Sequence, residues 1–293
     1  MGLILGLAAA FFFASASIAL RVGQRTREYD DGLFMTVFVN LVMFGMVVPF
    51  IDVPPWSTSG VIGLTFGGVV GTVFGRFSNL RSIRLIGPTR ANAFLTANPV
   101  VSAIVGWIVL NEAVGPAEGA GGALVVFGLL RFIRDRSAPP AMHPTSTPSA
   151  AGYAFAILAP TFFGIAFVIR KWGLARYDSA VMGAFIGGVA AFVAISIVYA
   201  VRRELLSTIR SNALHGSWWF VLAGVLTGAA LLSQFTAFGS LPAWVVGILQ
   251  GTQGIWTMGL SIVFLGAEEA IDGKVVLNVF MVALGVAVIG FAG

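Results

Sequence analysis

A chain of 293 residues in which 58% are hydrophobic and 10% charged, with a mean hydropathy of +0.94, departs far from the roughly 25% charge of soluble domains. The net charge of +5 comes from 17 Lys and Arg set mostly at the ends of apolar runs, and no basic tract is long enough to track a phosphate backbone, which excludes nucleic acid as a partner. Cys is absent and the two His, His143 and His215, stand apart in polar connections, so no disulfide framework, metal site or cofactor is expected.

The apolar runs cover residues 3–21, 32–50, 60–86, 89–110, 117–133, 152–172, 179–201, 217–239, 243–265 and 274–292. Most approach the roughly 20 residues that a helix needs to cross about 30 Å of hydrocarbon. Lipid offers no partner to the backbone of an open sheet or loop, which leaves helices as the spanning element. The sequence therefore predicts an all-α integral membrane protein of about ten transmembrane helices. The first run, Leu3 to Leu20, has no basic segment before it and reads as a retained helix rather than a signal peptide.

Residues 135–150 hold Pro139, Pro140, Pro144, Pro148 and several Ser and Thr, the composition of a flexible linker. It divides the chain into a first five-helix repeat, residues 1–134, and a second, residues 151–293. Phe12, Phe13, Arg21 and Gly23 match Phe162, Phe163, Lys171 and Gly173; Tyr29-Asp30 recurs as Tyr177-Asp178, and Glu112 has its counterpart in Glu268. An odd number of spans per half inverts the second half, so two inverted repeats meet near the bilayer midplane, the arrangement used for alternating access.

The stretch from Ser82 to Glu112, with Asn98-Pro99-Val100 and the terminal Leu110-Asn111-Glu112, is followed by the Gly-rich run Gly119 to Leu130. It resembles the third-to-fourth helix junction and closing signature of the drug/metabolite transporter superfamily, specifically its EamA-type ten-helix members. The second half departs from the pattern, with Gly254-Ile255 where a Pro-Val pair stands in the family. The resemblance implies a carrier of small metabolites, often an exporter, in the cell (cytoplasmic or inner) membrane. It names no substrate, coupling ion or oligomeric state.

Arg76 falls near the middle of the third run, where a charge costs at least about 2.5 kcal/mol and is functional by default. At 100° per residue Thr65, Thr72, Arg76 and Asn79 share one stripe, while Gly63, Gly67, Gly71 and Gly75 form a close-packing face elsewhere on the helix. In the ninth run Gln250, Gln253, Thr257 and Ser261 align in the same way. Asn40, Asn98 and Gln234 extend the candidate polar lining, and Trp256, well inside its run, is the candidate for stacking on substrate.

All 12 acids lie at or beyond the ends of the runs. An intramembrane carboxylate of the kind that couples transport to protons is therefore not expected, and Arg76 points toward an anionic or zwitterionic substrate such as an amino acid. A membrane-embedded enzyme would need converging nucleophile, base or metal ligands, which the runs do not supply. A non-transporting scaffold would not need a polar lining continuous across the two halves.

Charge and resemblance differ on orientation. The connections after the odd-numbered spans carry most of the Arg, against Arg170, Lys171 and Arg176 on the other side, and the positive-inside rule then puts the linker in the cytoplasm and both termini outside. The resemblance implies cytoplasmic termini. In this Cys-free chain, a membrane-impermeant thiol reagent applied to intact cells is expected to label a Cys added after Gly293 and spare Ser146→Cys. The reverse pattern would overturn the charge-based orientation.

Overall fold

The computed structural model describes residues 1–26, 32–95, 97–110, 149–215, 217–241, 243–265 and 273–292, with scattered positions between 116 and 131. Most of the expected fifth span and of the linker, together with Tyr29, Asp30, Glu112, His143 and Glu268, lie outside the described residues. Every regular element among the described residues is helical, and seven helices are long and apolar enough to cross a membrane.

The first span is Gly2–Thr26, the second Leu33–Val47 with a 3₁₀ extension Val48–Phe50, and the third runs from Thr58 to Ile86. The sixth is Ala150–Leu174, the seventh Ala180–Val201, the eighth Trp218–Ser240 and the tenth Gly273–Ala292. Serine side chains open three of these helices by accepting an otherwise orphaned backbone N–H: Ser57 from Gly60, Ser149 from Gly152 and Ser179 from Met182. The seventh-to-eighth connection, read from sequence as a polar segment, contains an additional short helix, Leu205–His215.

The fourth and ninth spans are broken at equivalent places. The fourth consists of Pro88–Leu95 and Asn98–Leu110, interrupted just before Pro99, whose missing N–H cannot bond the preceding turn. The ninth consists of Ala243–Gly251 and Gln253–Phe264 and has no Pro at its break. There the backbone N–H of Thr252 donates to the Leu249 carbonyl at 3.2 Å and its hydroxyl donates to the same oxygen at 2.7 Å. A Gly and a Thr thus do in the second half what Pro does in the first. Pro160, by contrast, sits inside a helix that continues through it.

The third span is also irregular. Val69–Arg76, eight residues, is a π-helix between α-helical segments Thr58–Gly68 and Phe77–Ile86. Long π stretches are rare and concentrate at functional sites. The widened turn offsets the drift that a four-residue repeat accumulates against 3.6 residues per turn. Gly63, Gly67, Gly71 and Gly75 accordingly all meet the sixth span, against Trp172, Arg170, Ala166 and Phe163 respectively. The closest approach is to the seventh span: a Cβ on Gly68 would lie 2.5 Å from the Gly187 carbonyl oxygen.

Packing is symmetric under exchange of the halves. The first span packs on the eighth as the sixth does on the third; the second packs on the eighth as the seventh does on the third; the first packs on the ninth as the sixth does on the fourth. Equivalent helices run in opposite directions where they meet. Phe34 and Phe38 of the second span meet Phe192 of the seventh, and Gly45, further on, meets Phe185, earlier in the chain. Asn92 lies against Thr257, whereas Pro99 lies against Gly247. These contacts are those of two inverted repeats.

Candidate functional site

The interlocked halves enclose a central cavity with about 640 Å³ of space unfilled by protein atoms, counting the part open to the outside. By the measure used for internal cavities its volume is about 60 Å³, room for a few water molecules in this conformation. The π segment and the turn after it place Thr72, Arg76 and Asn79 on the wall. The two helix breaks contribute Asn98 from the fourth span and Gln250 and Gln253 from the ninth, and the eighth span adds Gln234. Phe13 and Leu20 of the first span and Phe163 and Phe167 of the sixth add apolar groups to the same lining.

Seven of the residues singled out from sequence thus line one cavity. The other three lie elsewhere. Asn40 lines a smaller side cavity that shares Thr72, Arg170 and Leu231 with the central one. Thr257 is buried one turn below Gln253, where its hydroxyl accepts a bond from the Asn92 amide at 3.0 Å, holding the fourth and ninth spans together. Trp256 is 43% exposed on the outer surface and packs edge-on against Phe11; its helical phase, about 100° from Thr257, turns it outward. Thr65 is likewise absent from the cavity wall, because the π segment begins between it and Thr72.

Arg76 is 7% exposed and donates from Nη2 to the Thr227 hydroxyl at 3.0 Å; that hydroxyl in turn donates to the Ala223 carbonyl at 2.7 Å. A second guanidinium shares the cavity. Arg170, 4% exposed, donates from Nε to the Gly67 carbonyl at 3.1 Å and from Nη2 to the Thr72 hydroxyl at 3.4 Å, with its guanidinium carbon 5.6 Å from the centre of the Phe235 ring. Counting Arg170 with Lys171 and Arg176 as an interfacial charge is corrected here. The sixth span continues past it to Leu174 and the chain remains buried at Tyr177, which carries Arg170 more than a turn inside the helix. The glycine repeat of the third span was the available signal, since so small a face requires a large partner.

Arg21 is another charge that sequence placed at an interface; it is 5% exposed and donates from Nη1 to the carbonyls of Ile83 and Arg84, both at 3.2 Å. It satisfies the end of the third span in the manner of a basic helix cap. Arg176, by contrast, is exposed and stacks on Trp172 at 3.8 Å.

No Asp or Glu lines the cavity among the described residues. The described acids, Asp52, Asp178 and Glu204, are exposed in connections. Four amides of the wall keep a buried polar atom without a hydrogen-bond partner in the protein: Oδ1 of Asn79 and Asn98, Oε1 of Gln234 and Nε2 of Gln250. Buried polar groups are ordinarily satisfied, so a wall combining guanidiniums with such amides suits a polar ligand.

The EamA-like transporter family model matches residues 1–134 and 150–291, nearly the whole chain in two pieces. The chain belongs to the EamA-like transporter family. It is thus a multi-pass membrane protein of a transporter family, with two repeated halves. A solved crystal structure of a protein aligns with 99% of this chain and 96% of its own at a TM-score of 0.63 and 14% sequence identity, a likeness of fold. No curated protein matches by sequence.

Proposed function

We propose that this EamA-like protein moves a small anionic or zwitterionic metabolite, of the amino-acid kind, across the cell membrane by alternating access through the central cavity, working as an exporter. The observation that carries this reading is the pair of buried guanidiniums, Arg76 and Arg170, lining one cavity with no carboxylate beside them among the described residues. Guanidinium forks match carboxylate and phosphate groups bidentately. The unpartnered amide oxygens of Asn79, Asn98 and Gln234 are suited to an ammonium group of the same ligand.

Support for alternating access comes from the inverted repeats and from the two helix breaks facing one cavity, since discontinuous helices meeting near the midplane are the usual substrate site of repeat-built carriers. The candidates Asn40, Trp256 and Thr257 have different parts in this reading. Asn40 belongs to a side branch next to Arg170, and Thr257 fixes the break; Trp256 has no contact with the cavity. A catalytic reading has less support, because the cavity wall among the described residues offers no nucleophile and base in contact.

The test is metabolite profiling of cells that express the protein against cells that express Arg76→Ala at equal membrane abundance. Wild-type cells are expected to lose one anionic or zwitterionic compound to the medium about tenfold faster or more, given the worth of a charged hydrogen-bonded contact. Identical profiles, or changes confined to cations, would remove the basis for this function.

A further inference from the structure

We infer that the carrier is an obligate anion exchanger, reorienting across the membrane only when an anion fills the cavity and neutralises Arg76 and Arg170. The inference rests on the anionic-substrate reading above and goes beyond it by fixing the mode of transport.

Both arginines are almost fully buried, and their partners are neutral: hydroxyls of Thr227 and Thr72, the Gly67 carbonyl and the Phe235 ring. Nothing else on the described wall can adjust the charge. Among the described residues the lining contains no Asp, Glu or His, and a guanidinium does not release its proton in a protein. The empty cavity therefore keeps two positive charges throughout the cycle.

Alternating access passes through a state closed to water on both sides. Closing around two cations without a counter-charge removes their hydration and leaves the like charges facing a low-dielectric interior, where isolated ions are heavily penalised. A bound anion replaces that hydration and cancels the charge. Loaded and empty forms thus differ in the very step that moves the cavity across the membrane. Proton-coupled return would bypass the difference, but it needs a carboxylate or His within the spans, and the described wall has neither. The returning occupant is then a second anion of the same class.

The experiment uses the full-length protein in liposomes loaded with a mixture of isotopically heavy amino acids, mono- and dicarboxylates and inorganic phosphate. Appearance of heavy compounds outside is measured by mass spectrometry, into buffered sucrose or into the same mixture in light form. At least one heavy anion or zwitterion is expected to leave about tenfold faster or more when the light mixture is outside, as the penalty on closing around unpaired ions requires. Equal efflux of that compound into buffered sucrose overturns the exchange mechanism while leaving the anionic-substrate reading intact. Efflux of cations alone, or of nothing, overturns the reading beneath it. Arg76→Gln and Arg170→Gln, near in shape but uncharged, separate charge from structure. Loss of the exchange requirement in the residual flux supports the inference, and an unchanged ratio between the two conditions counts against it.

Discussion

Arg76→Ala and Arg170→Ala are each expected to lower substrate flux in reconstituted vesicles about 30-fold or more, with membrane insertion and thermal stability unchanged or improved. Removing one partner of a buried charged contact costs roughly 2–5 kcal/mol, at tenfold per about 1.4 kcal/mol. Stability is expected to move the other way, because neither guanidinium has a carboxylate partner among the described residues, and a buried charge with neutral partners opposes folding through its lost hydration. A purely anchoring arginine would give the opposite pair of results, full transport with lower stability. Arg170→Ala also frees the Gly67 carbonyl and Thr72, so its stability gain should be the smaller of the two. Transport in both variants at the wild-type rate would return these arginines to a structural role.

Much of this geometry could be read in the sequence where the signal is local. Apolar runs mark the spans because the hydrocarbon thickness fixes their length, and the repeated Phe and Gly positions mark the halves. The glycine face of the third span needed only a spacing of four. Arg170 could not be read in the same way: its neighbour Lys171 and the nearby Arg176 make the three look like one interfacial cluster, and only the sixth span's packing on the third separates them. Nor was the break in the ninth span legible, since Gly251 and Thr252 carry no Pro signal. Depth along the helix singles out Trp256 but is blind to which face it occupies, while the stripe of Gln250 and Gln253 faces the cavity. The π segment is a property of tertiary packing, and a uniform 100° step could not anticipate that Thr65 leaves the stripe.

Gly68→Ala is expected to cost about 1–3 kcal/mol of stability, the usual penalty for overpacking, and Gly68→Leu to prevent accumulation of folded protein. Backbone is what the added Cβ meets: it would lie 2.5 Å from the Gly187 carbonyl oxygen and 2.8 Å from the Gly187 carbonyl carbon. No side-chain rotation can relieve that contact, so the third and seventh spans would have to separate. The reciprocal change is far milder, since a Cβ on Gly187 would sit 3.3 Å from Gly68 Cα and 3.4 Å from the Leu64 carbonyl oxygen. Gly188→Ala is the control, with nothing within 4 Å of its Cβ. Thermal unfolding of purified variants in detergent should rank Gly68→Ala well below Gly187→Ala, and Gly187→Ala slightly below Gly188→Ala. Equal midpoints for Gly68→Ala and Gly188→Ala would show that this crossing is not close-packed.

The exchange-symmetric packing also bears on how the chain is made. The first span rests on the eighth, the second on the seventh, the third on the sixth and the fourth on the ninth, so the partners of the early spans are synthesised last. While the ribosome is still translating the second half, Arg76, Thr72 and Asn79 lack Arg170, Thr227, Gln234 and the other second-half residues that will line the cavity with them, and the insertion machinery or surrounding lipid must accommodate them. The first half thus gains many of its packing partners only once the second half has been made. Joining both halves in one polypeptide guarantees the late spans a nearby partner at high effective concentration, which limits the time that an intramembrane charge waits exposed to lipid.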